Sequence, residues 1–230
     1  MNYYNLTNSL DTQVIGKYPQ SILPKSIGNI RDIGEADGIV EIIVPEPVIH
    51  NEAKATTYLK INHINSQKFL VLHQGFIDFI KDFNIEEHQS WNIKVHHGKN
   101  ILYDYNLFHL SNTSQEKFVR YEKSLFSIGK LGDWREKNMR KPIKIDTYNK
   151  YMSMVEVLRE SKNKSRLRCS KLVLDLSQVN VDLFRLANMP SFGGGYFISE
   201  RLKKAIEVNS FTGMAFKEIS EIDKRIEVIY

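Results

Sequence analysis

The stretch Tyr196–Ile219, YFISERLKKAIEVNSFTGMAFKEI, decides the fold. An apolar run stops at Ser199. Apolar residues then recur at Leu202, Ala205 and Ile206, the spacing of one helix face. Ser199 stands where that helix starts, so its hydroxyl is placed to accept a hydrogen bond from a first-turn amide. Glu200 suits the positive end of the helix dipole, and Glu200 with Arg201 reads as a surface charge pair. Thr212 and Gly213 turn the chain, after which Met214 and Phe216 return to the core. A nucleophilic Ser199 would need a G-x-S-x-G elbow and a base placed beside it, and the surrounding sequence offers neither.

An echo of this pattern lies 126 positions earlier, in FLVLHQGFIDFIKDFNIEEHQSWNIKV, residues 69–95. The shift lays Leu72 on Ile198, His73 on Ser199, Phe76 on Leu202, Phe79 on Ala205 and Ile80 on Ile206, with one residue of slack expected before Trp91 and Phe216. His73 therefore stands where the second unit has its capping serine. Trp91, Ile93 and Val95 alternate as in a strand. Two strand-helix-strand units, about 69–95 and 195–219, predict an α+β fold with a mainly antiparallel sheet. A further helix is predicted near 148–161, where Tyr151, Met154, Val155 and Leu158 form a stripe that Asp146 or Thr147 could cap. Residues 38–44, 56–62, 101–110 and 117–129 read as strands. Residues 1–55, with a short NYYNL strand and many turns, form one segment. Residues 56–230 form the main domain, and the two together could be continuous.

Composition limits the function classes. The chain has 230 residues, of which 42% are hydrophobic, enough for a sizeable core. The N-terminus lacks a basic start followed by a long apolar run, and no stretch approaches a membrane span. With Cys169 as the only cysteine, the expectation is a cytoplasmic protein that makes no contact with membranes. Its net charge of +5 permits an anionic partner without requiring one.

Few motifs carry chemistry. All seven histidines fall between His50 and His109, yet none of their spacings matches a zinc site. The glycines of SFGGGYF precede a strand rather than a helix, which is the wrong order for a phosphate cradle. The paired acids in NIEEHQ and EISEIDKRIE lie on polar segments expected to be exposed. No catalytic, metal or cofactor-binding residue is assigned, and an enzyme is not expected. Two segments are basic: WREKNMRK (134–141) and RESKNKSRLRCSK (159–171). Their candidate partner-binding residues are Trp134, Arg135, Arg140, Lys141, Arg166 and Arg168. Contact with nucleic-acid phosphates through these segments is the alternative reading. An exposed helix end and a solvated loop is the plainer one.

The segments FISERLKKAI and FTGMAFKEI resemble the C-terminal signature of a family of bacterial polymorphic-toxin immunity proteins, immunity protein 11. The approach strand VDLFRL, with Phe184 and Arg185, resembles the same family, as do FVRYEKSLFSI and FLVLHQGFIDFIKDFNI. The resemblance spans roughly 58–220 and is densest over 181–219. It implies a protein that binds a cognate toxin domain and blocks it stoichiometrically. Inhibition by binding needs a complementary surface with a few anchors and no catalytic group.

Overall fold

The computed structural model describes residues 2–30, 42–110, 115–130, 141–160, 165–186 and 194–230. The fold is α+β. In chain order the strands of the first half are β1 (Tyr3–Asn8), β2 (Val48–Ile49), β3 (Tyr58–Leu59), β4 (Leu70–His73), β5 (His88–His97) and β6 (Asn100–Leu110). Those of the second half are β7 (Leu125–Lys130), β8 (Lys141–Ile143), β9 (Ser165–Asp175), β10 (Leu183–Leu186), β11 (Gly195–Ser199), β12 (Met214–Glu218) and β13 (Ile226–Ile229). The helices are α1 (Thr12–Ile15), α2 (Gln74–Ile80), α3 (Tyr148–Glu160), α4 (Glu200–Val208) and α5 (Ile219–Ile222).

The strands form three sheets, ordered β10-β11-β1-β12, β2-β5-β6-β4-β3 and β13-β9-β7-β8. The first sheet lies between two cores. Tyr3, Phe184 and Phe197 enter a core shared with the third sheet and α3. Leu6, Leu183, Tyr196 and Ile198 enter one shared with α2, α4 and the second sheet. All five residues of β11 are buried, as expected of a strand covered on both faces. The far face of the second sheet closes a third core around Phe69, Val71, Tyr105 and Leu107.

The sequence echo is a topological repeat. In the first unit β4 and β5 both pair antiparallel with β6, which lies between them. In the second, β11 and β12 both pair antiparallel with β1, again in the middle. An antiparallel strand, β3 or β10, flanks each unit on the side of its first strand. Ladder positions agree: Leu72 faces Asn106 and Trp91 faces Leu107, just as Ile198 faces Tyr4 and Lys217 faces Asn5. The shift of 126 thus holds through both strands, and the expected slack before Trp91 is absent. It falls instead ahead of β11, where the partners of Tyr58 and Leu183 are Leu72 and Ile198. Individual bonds repeat as well. The Tyr105 hydroxyl donates to the Thr56 carbonyl at 2.8 Å, and the Tyr3 hydroxyl lies 3.1 Å from the Val181 carbonyl. His73 N–H bonds Thr57 O at 2.9 Å, and Ser199 N–H bonds Asp182 O at 2.9 Å. The difference is connectivity. The middle strand of the first unit follows it by a hairpin, whereas that of the second comes from the opposite end of the chain.

Both helix starts are capped. Ser199 Oγ accepts from Leu202 N–H at 3.1 Å. His73 does the same work through its imidazole: Nδ1 accepts from Gly75 N–H at 3.0 Å, while Nε2 lies 2.8 Å from Asp104. Helix α3 is the one expected near 148–161, with Thr147 Oγ1 accepting from Lys150 N–H at 3.2 Å.

Several expected strands are shorter than read. Residues 56–62 keep only Tyr58 and Leu59 in a ladder, because Lys60 N–H bonds the Gln20 side chain and Asn62 N–H the Ser21 hydroxyl. Of 38–44, residues 38–41 lie outside the described residues; Ile42–Val44 form no strand, and Ile43 N–H bonds the Asn29 side chain. Residues 117–129 begin with 3-10 turns at Gln115–Lys117 and Tyr121–Lys123 that tuck Phe118, Val119 and Tyr121 into the core, and β7 starts only at Leu125. The basic stretch 159–171 contains the end of α3 and, from Ser165, a regular strand rather than a loop. From the first 55 residues, β1 enters one sheet and β2 pairs parallel with β5 in another.

Candidate functional site

Asp182 ties the signature segment to the rest of the molecule. Its side chain is almost fully buried. It accepts from Ser199 Oγ–H at 2.6 Å, Asn84 N–H at 3.0 Å, and both Nε and Nη2 of Arg201. Burial raises its pKa, but the donors from Arg201, Ser199 and Asn84 outweigh it and hold the carboxyl below its usual range. Ser199 therefore both donates to Asp182 and caps α4, a structural assignment for its hydroxyl. Arg201 belongs to this hub and lies 5.1 Å from the Phe83 ring centroid. The expected Glu200–Arg201 pair does not form, because Glu200 pairs with Lys204 one turn on, at 2.8 Å.

The hub brings two loops side by side. Asp182 N–H bonds Asn84 O, Glu86 N–H bonds Leu183 O at 3.2 Å, and Ile85 bridges Leu183 in parallel. Tyr3, buried beneath, holds its hydroxyl 3.0 Å from the Val179 carbonyl. These loops and the 3-10 turn at Lys117 enclose a cleft of about 480 Å³. Phe118, Val179 and Val181 give it apolar walls; Gln178, Asn180, Glu87 and Lys117 stand around it. Phe118 is fixed by stacking on Phe184, centroids 4.3 Å apart.

Glu86 lines this cleft and departs from the exposed role expected of NIEEHQ. It is half-buried, and its Oε2 is shut off from water without a hydrogen-bond partner among the described residues. Burial is the largest influence and pushes the carboxyl up to about 7, against the charges of Lys117 and Arg185 and a hydrogen bond from the Arg185 backbone. Glu87 is exposed, as expected. The adjacent Arg185 is fully buried, with Nη1 3.3 Å from the Gln67 carbonyl. The sequence signal that could have found Glu86 is its place directly after Ile85, at the mouth of a strand-helix-strand unit. Its burial depends on segments about 30 and 95 residues away, which local patterning does not register.

The basic candidates divide. Trp134, Arg135 and Arg140 lie outside the described residues. Lys141 opens β8 opposite Ile128, which faces Leu167. Arg168 faces Ser127, which faces Pro142. Directly opposed residues share a sheet face, so Arg166 and Arg168 point to one side and Lys141 to the other. Leu167 packs into the core beside α3, which puts the two arginines on the face away from that helix. Arg168 Nε is buried without a hydrogen-bond partner among the described residues.

Among the described residues no three His, Cys, Asp or Glu side chains gather as a metal site. The buried His96 pairs with the partly exposed Glu46 at 2.9 Å, and His109 Nδ1 lies 2.9 Å from the Lys68 carbonyl. Burial pushes the Cys169 thiol up to about 12, which leaves it inert. Among the described residues no helix is long and apolar enough to cross a membrane. A scan against protein-family models and a search of curated proteins each found no match.

Proposed function

We propose that this chain neutralises a bacterial toxin domain by stoichiometric protein–protein binding, as immunity proteins do. The observation that carries the reading is the cleft at Glu86. Three separate chain segments converge there on an apolar floor, and one carboxylate oxygen lacks a hydrogen-bond partner among the described residues. Anchor pockets at protein interfaces have this character. The residues shared with the immunity signature support the same reading from the other side. Ser199, Leu202, Ile206 and Gly213 all serve the scaffold, which leaves recognition to surfaces outside the signature.

The experiment is capture of the toxin domain encoded beside this chain, with growth rescue on co-expression. A one-to-one complex and rescue are expected; failure to bind any adjacent toxin candidate would sink the reading. A second reading, anion or nucleic-acid binding, is favoured by Arg166 and Arg168 sharing a face. It predicts retention of RNA or DNA that weakens steeply with salt and is lost in the Arg166→Glu, Arg168→Glu double variant.

A further inference from the structure

The cleft at Glu86 suits one kind of side chain. Its walls at Phe118, Val179 and Val181 are apolar. Glu86 lines it and offers a carboxylate acceptor, one oxygen of which, Oε2, has no hydrogen-bond partner among the described residues. The carboxamides of Gln178 and Asn180 beside it offer further acceptors. A long apolar stem ending in a planar cation with several donors matches all three features. We infer that the cleft receives an arginine side chain of the partner protein, its guanidinium donating to Glu86. Lys117 lines the same cleft, so its charge competes with the incoming arginine. The overall charge of +5 does not oppose this, because Glu86 and Glu87 make the cleft locally acidic.

The inference rests on the proposed binding function only for the source of the arginine. The cleft itself is tested without a toxin. Nα-acetyl-arginine methylamide and its norleucine counterpart are titrated into the full chain while backbone amide resonances are followed. The arginine compound is expected to give saturable shifts at residues 86–87, 118 and 178–181, with the norleucine compound binding about tenfold or more weakly. Glu86→Gln should lose about tenfold or more of the affinity, and Lys117→Met, which removes the competing charge, should gain several-fold. Absence of saturable shifts, equal binding of norleucine, or unchanged affinity in Glu86→Gln would overturn the inference. Arginine binding with no toxin captured counts against the proposed function alone. A toxin held equally by the wild type and Glu86→Gln counts against the cleft alone.

Discussion

Glu86 shows how one residue reports its surroundings. A carboxyl raised to about 7 in the folded chain, from an ordinary 4.5, binds more protons folded than unfolded between those values. Its contribution is therefore fully present below about pH 4.5 and is lost as pH rises through about 7. Glu86→Gln should leave stability at pH 4 nearly unchanged and raise it by about 1–2 kcal/mol at pH 8. Urea unfolding across that range checks it; parallel pH profiles for the two proteins would show that Glu86 is not held near neutrality. The caps at the two helix starts show what can be read at this scale. Ser199 was legible because a cap is a contact within three residues of its own chain. His73 stood in the matching position but outside the usual capping residues, because an imidazole caps only as the tautomer with a free Nδ1 lone pair. Its Asp104 partner favours that tautomer, and Asp104 lies on another strand.

The turn from α4 into β12 carries more than its own reversal. Tyr58 N–H bonds Thr212 O at 3.1 Å, Thr212 N–H bonds Thr57 Oγ1 at 3.1 Å, and Ser9 N–H bonds Gly213 O at 2.9 Å. The second unit's turn thereby clasps the edge strand of the first. Gly213 has φ +83°, and a Cβ there would lie 2.3 Å from the Tyr58 carbonyl. Gly213→Ala meets both the left-handed backbone and a fixed neighbour, so it should cost about 2–4 kcal/mol, read from the denaturation midpoint. A loss below about 0.5 kcal/mol would mean that the turn yields freely. The turn was plain in the sequence, but its clasp was not, because Thr56–Tyr58 look like any short strand. The same limit explains residues 117–124. Their apolar spacing fits a strand, yet Phe118 and Tyr121 reach the core from 3-10 turns because Arg120 N–H bonds Val173 across the sheet.

At the scale of the molecule, the repeat makes β1 the shared partner of β11 and β12. Without it both strands lose a ladder, and Tyr3 and Leu6 leave two cores at once. Removal of residues 2–8 should abolish the cooperative transition and the near-ultraviolet circular dichroism of the second unit. A peptide of residues 2–10 added in trans should restore both. A truncated chain with an unchanged transition would show that the first sheet does not depend on β1. The two strand-helix-strand units were readable because each is contiguous in sequence. The middle strand of the second was not, because YYNLTN announces a strand and nothing about its neighbours. The cleft has the same origin: its walls come from three distant segments, and only their assembly half-buries the Glu86 carboxylate.

The placement of β1 also sets a timetable for synthesis. Asn5 and the Tyr196 carbonyl it bonds are 191 residues apart. Translation at about 5–20 residues per second leaves that strand without its partners for roughly 10–40 s. The unit at 58–110 has its own middle strand within reach and can close on the ribosome. The second unit must wait for β11 and β12, so a ribosome that stalls before residue 195 leaves β1 an orphan strand and the α2 face without its partners from β11 and α4.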